Sequence, residues 1–323
     1  MLRFALLGLG AATLVGLLIG MGSETVLASF SALSWSLLVV LVFPFVLISV
    51  FDTLGWHYAF SRNLVPFGAL FAARMAGEAV NMGTPTASIG GEVVKAWLLR
   101  PHVAMDVSVP SVIIAKTTIT IAQGLFLAVG IAVAWPTMMG DSALLRGMEW
   151  LLLVEVLAVG GFVLVQLGGA FSGVAWAARR LGGADTIRAL VPMDDALRRF
   201  YLSRPRRLAL SIACHFIGWV LSALETYIIL RLLGVPLSLV TAVVIEAFST
   251  AVRFATFLVP ASLGVLEGGH VAAFVALGLG ASAGLSFSLV RRVREATWLI
   301  AGLVAFAVMR SVRPVVPAVS PGG

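Results

Sequence analysis

The sequence predicts an all-α polytopic integral membrane protein, with about six full transmembrane helices and two re-entrant helical hairpins set as an inverted repeat. Three observations carry that prediction. Hydrophobic residues make up 60% of the 323 and charged ones 11%, against about 25% charged in soluble domains. Several apolar runs exceed the roughly 18 residues that mark a membrane span. A pattern of break, acid and base also recurs: Pro85, Glu92 and Lys116 are followed 175 residues on by Pro260, Glu267 and Arg291. Fixed-period recurrence of this kind signals an internal repeat.

Arg3 and the apolar run to Met21 read as a first helix, since the run is longer than a signal core and no cleavage site follows. A second run covers about 33–58, kinked at Pro44, with Trp56 and Tyr58 as interface aromatics. Residues 64–100 are too short and too interrupted to cross twice. Arg74 and Glu78, four apart, share a helix face and are expected to pair. Asn81, Gly83 and Pro85 then break the helix, and Gly90-Gly91-Glu92 opens a second short segment ending at Arg100. Such a broken hairpin belongs where backbone is buried in protein or lines a wet cavity. Ser108 and Pro110 start a span to Trp135 that contains Lys116, and another span covers about 150–167.

A polar stretch, 171–207, holds eight Arg. After it, 208–233 forms a span carrying Glu225. Residues 237–280 repeat the broken pattern, with Pro260, Gly264 and Glu267-Gly-Gly as the break. The last span, about 285–309, contains Arg291, Arg292, Arg294 and Glu295. The chain thus reads as one transmembrane domain over 1–323, with repeat unit one at about 33–135 and unit two at about 208–310. Placing the Arg-rich loop in the cytoplasm puts both termini there and makes the two hairpins enter from opposite faces. If the second hairpin crosses instead, the total becomes eight spans with the same termini. The net charge of +7 is thereby topological and calls for no nucleic acid.

A charge near the bilayer centre costs about 2.5–3.5 kcal/mol, so the embedded acids and bases must pair or face water. Glu92, Lys95, Lys116, Glu267 and Arg291, placed beside the breaks, read as a substrate cavity; buried ion pairing is the competing structural reading. His215, on an apolar face, reads as a satisfied core residue. The chain has no Walker A loop, H-E-x-x-H or G-x-S-x-G, and its four His (57, 102, 215, 270) lack metal-ligand spacing. No cofactor or metal is expected, and no enzyme activity. The lone Cys214 excludes an intrachain disulfide.

Pro85…Gly90-Gly91-Glu92 with Lys95, then Pro260-Ala-Ser-Leu-Gly264…Glu267-Gly-Gly and the Arg-rich last span, resemble the transmembrane domain of lysylphosphatidylglycerol synthases, a flippase-like family. Arg291-Arg292-Val-Arg294-Glu295 is most similar to the family's hopanoid-biosynthesis-associated branch. The resemblance implies transport of an amphipathic lipid, a hopanoid or its precursor, in a bacterial inner membrane, with Glu92, Lys95, Glu267 and Arg291 as functional positions and lipid-synthesis enzymes as candidate partners. The chain departs from that family in lacking an aminoacyl-transferase domain, and Ala87 stands where a basic residue is expected. Two rivals remain: a membrane-embedded lipid transferase or hydrolase with Glu92 or Glu267 as base, and an accessory scaffold for lipid-synthesis enzymes.

Overall fold

The computed structural model describes residues 34–84, 89–136, 142–168, 184–256 and 259–311. The expected first helix, Pro85 and the start of the basic loop lie outside them. Among the described residues the chain is wholly α-helical, without strands. In order come α1 (Ser34–Ala59), α2 (Phe67–Gly83), α3 (Gly90–Leu98), α4 (Met105–Ala134), α5 (Ala143–Leu167), α6 (Ala184–Ser203), α7 (Pro205–Leu232), α8 (Leu239–Ala255), α9 (Val265–Ala276) and α10 (Ala281–Arg310), with a 3-10 turn at Pro260–Ser262 before α9.

Four of these helices, α1, α4, α5 and α7, are long and apolar enough to cross a membrane. At 30 residues, α10 is about 45 Å long at 1.5 Å per residue, but Arg291, Arg292, Arg294 and Glu295 take it outside that composition. The outer face of α5 exposes Trp150, Leu153, Leu157 and Leu164, a surface suited to lipid rather than water. The chain is a multi-pass membrane protein.

The two halves correspond element by element. α3 and α9 begin 175 residues apart, and α4 and α10 begin 176 apart. α1 and α7 begin 171 apart. These last two counterparts form the most extensive helix pairing in the molecule, and they run antiparallel. The Arg207 guanidinium donates to the His57 carbonyl at 2.8 Å, Ser211 Oγ to the Gly55 carbonyl at 2.8 Å, and His215 meets Asp52 at 3.0 Å. Gly55 and Gly218 let the helices close, since an added Cβ would lie 2.5 Å from the His215 ring or 2.9 Å from Asp52.

The hairpins exchange partners: α2 packs on α10, and α8 packs on α4. A glycine makes each approach. A Cβ at Gly302 would strike the Met75 carbonyl, and one at Gly130 would strike Ala247. Each hairpin also returns to the end at which it starts. Leu70 of α2 and Leu98 of α3 share one apolar cluster with Trp56, Ile114 and Leu197. Ile245 of α8 and Phe274 of α9 share another with Ile229, Leu230 and Phe287, at the far end of α7 and the start of α10.

Candidate functional site

The α2–α3 hairpin is held by two glycines and one amide. Gly91 faces Gly77 so closely that a Cβ on Gly91 would collide with the Gly77 carbonyl oxygen. Asn81 Oδ1 accepts from the Gly91 N–H at 2.8 Å, satisfying a free donor at the start of α3. Its amide also reaches Glu92 Oε1 at 3.4 Å. Asn81 is therefore not the break that its sequence suggests. α2 runs on to Gly83, and the chain turns extended at Thr84, so Asn81 stays helical and caps the next helix.

This arrangement assembles a cleft of about 390 Å³, counting its open mouth, walled by α1, α2, α3, α4 and α7. Its polar lining is Asp52, Arg74, Glu78, Glu92, Lys95, Lys116 and His215. Lys95 Nζ lies 2.6 Å from Glu78 and 3.0 Å from Glu92. Lys116, 51% exposed, stands 4.0 Å from Glu92. Arg74 Nη2 meets Asp52 Oδ2 at 2.6 Å, while its buried Nη1 has no partner. Three acids thus meet three bases, with one lysine and one guanidinium nitrogen still able to donate. A site of this kind suits a ligand carrying an anionic or zwitterionic group.

The expected Arg74–Glu78 pair is not the one formed. Both side chains lie on the inner face of α2, but Asp52 of α1 takes the arginine and Lys95 of α3 takes the glutamate. Tertiary partners replace the local one. His215 lines the cleft and shares a hydrogen bond with Asp52, but its Nε2 has no partner, so it is only half satisfied. The sequence reading missed Asp52, a single acid within an apolar run; its only signal is its cost there.

Glu267 and Arg291 do not join this cleft or each other. Glu267 accepts from Arg292 at 2.5 Å, and its other oxygen takes the Gly264 N–H at 2.7 Å. Gly264, at φ 77°, supplies the left-handed entry to α9. Arg291 instead grips Glu246 through two bonds, of 2.6 and 3.1 Å. Its neighbours pair likewise: Arg294 with Glu225, and Arg253 with Glu295 at 3.1 Å. Arg292 also holds Glu295 at 2.8 Å and the Ala261 carbonyl at 3.0 Å. Ala261 and Ser262 both take left-handed φ, at 52° and 49°, turning that carbonyl toward the guanidinium. Four acids and four bases neutralise one another, and this second cluster is buried where the first is open. Among the described residues no group of three or more His, Cys, Asp or Glu is placed to hold a metal.

The family model for the lysylphosphatidylglycerol synthase TM region matches residues 3–305. A "UPF0104 membrane protein" of Methanothermobacter thermautotrophicus is 24% identical over 292 residues, 84% of each chain. No solved structure matches.

Proposed function

This chain belongs to the lysylphosphatidylglycerol synthase TM-region family, and from that premise we propose that it moves an amphipathic lipid across the membrane, holding the polar headgroup in the cleft between α1–α4 and α7. One observation carries the reading. An otherwise apolar bundle keeps an open cleft lined by charge, with Lys116 exposed and Arg74 Nη1 lacking a partner. Donors left free within a membrane domain mark a substrate path by default.

In this reading Glu92, Lys95 and Lys116 serve the headgroup, and Glu267 and Arg291 brace the opposite half. The two hairpins are re-entrant from opposite faces, and α1 against α7 is the axis about which the halves rock. Arg62, Arg100 and Arg204–Arg207 mark the cytoplasmic end of an inner membrane. The cargo we favour is a hopanoid or its precursor, on the resemblance of the Arg291–Glu295 segment.

The test is lipid movement in proteoliposomes with Lys116→Gln, at a residue exposed enough for the fold to tolerate the change. A contact to a charged group contributes about 1.5–3 kcal/mol, so movement of a lipid with an anionic headgroup should slow about tenfold or more at equal protein level. Unchanged movement removes the cleft from the path, and no movement by the wild type removes the function.

A further inference from the structure

Glu155 is an embedded acid that the cleft does not use. It is the middle residue of the 25 in α5, about 18 Å from either end at 1.5 Å per residue. Its side chain is 1% exposed, and neither carboxyl oxygen has a hydrogen-bond partner. Opposite it on α4 stands Gly124, where even an added Cβ would lie 3.6 Å from the Glu155 carboxyl carbon. A small gap without a side chain therefore faces the carboxyl.

No base among the described residues is available to it. α5 packs against α4, α8 and α6. The charged and titratable side chains described on those helices are Asp106 and Lys116, Glu246 and Arg253, and Asp194, Asp195, Arg198, Arg199 and Tyr201. None bonds to Glu155, and burial alone, without any neighbouring charge, acts on its carboxyl. Arg253 is held by Glu295, Glu246 by Arg291, and Tyr201 by Gln166. On α5 itself, Arg146 and Glu149 lie one turn or more toward its start. Asp52, Glu225, Glu246 and Glu267 are buried too, yet each has an arginine.

A bare carboxylate at that depth is prohibitively costly, and no described side chain neutralises it, so the partner the site lacks is a proton. We propose that Glu155 is a proton-binding site at the bilayer midplane, loaded while α5 is packed on α4 and discharged when water enters the gap at Gly124. A polar route begins three turns along the same buried seam. There Gln166 bonds Thr117 at 3.2 Å and receives the Tyr201 hydroxyl at 2.7 Å. Coupling of this proton to lipid movement rests on the function proposed above; the proton site itself does not.

Infrared difference spectra of the protein in nanodiscs, between acid and alkaline buffer, test the site. The wild type should lose a protonated-carboxyl band on alkalinisation, and that band should be absent from Glu155→Gln, which keeps the shape of the neutral acid. Glu155→Leu provides the same comparison if the amide perturbs folding. Wild-type and variant spectra that superimpose, or a carboxyl band indifferent to pH, overturn the proposal. In proteoliposomes an imposed pH gradient should then speed lipid movement in the wild type but not in Glu155→Gln. An equal response overturns the coupling, and a wild type that moves no lipid sinks the transport reading while leaving the infrared result intact.

Discussion

Glu92 and Glu246 carry the same charge in opposite circumstances. Glu246 is 1% exposed and receives two bonds from Arg291 and one, at 2.7 Å, from Thr226. Glu246→Gln leaves that arginine uncompensated in the interior, at a cost of about 3–5 kcal/mol. Glu92→Gln leaves Lys95 on Glu78 at 2.6 Å, beside an open cleft, and should cost well under half as much. Thermal unfolding of matched detergent samples should show a large drop for the first and a small one for the second. Glu246→Met with Arg291→Met should recover most of the loss, because it removes both charges. Similar melting of both single variants would contradict the contrast. At this scale the sequence was legible for the motif residues beside a glycine or proline, and the cleft does gather Glu92, Lys95 and Lys116. Asp52 and Glu155 were not legible, because a lone acid in an apolar run has no local pattern to expose it. Nor could spacing choose partners: Arg74 has Glu78 one turn away and takes Asp52, 22 residues distant.

At the scale of elements, both breaks were legible because glycine and proline punctuate an apolar chain in few ways. Their exact ends were not. Gly83 and Asn81 stay within α2, since tertiary packing on α10 and the cap to α3 favour one more helical turn. The hairpin depends on bare backbone at the crossing of α2 and α3. Gly91→Ala sets a methyl against the Gly77 carbonyl oxygen and the Asn81 amide, and neither backbone can yield without parting the helices. Overpacking of this sort costs about 1–3 kcal/mol, and the lost Asn81 cap adds to it. Gly83→Ala meets only Leu299 at 3.7 Å, an ordinary contact. The melting point should fall for Gly91→Ala and stay level for Gly83→Ala; equal tolerance of both would mean that the hairpin does not close as described.

At the scale of the whole molecule, the recurrence at 175 residues foretold more than the charges did. Counterpart helices α1 and α7 lie antiparallel along one seam, and α2 and α8 each cross to the final helix of the other half. An inverted repeat imposes this exchange, because a two-fold axis in the membrane plane carries each hairpin to the opposite face. The arrangement makes a prediction about sidedness. Arg62 and Arg100 flank the first hairpin, Ser238 and Ser282 flank the second, and all four are exposed. Each would be changed singly to Cys in a background with the buried Cys214 replaced by Ala. An impermeant thiol reagent applied to sealed inside-out vesicles should then label the Arg62 and Arg100 positions, because the basic ends face the cytoplasm. Applied to right-side-out vesicles, it should label the Ser238 and Ser282 positions instead. If Arg62 and Arg100 react from different sides, the first hairpin crosses; if Ser238 and Ser282 do, the second crosses and the spans number eight. If all four react from one side, the halves are not inverted, and α1 against α7 loses its role as the axis of exchange.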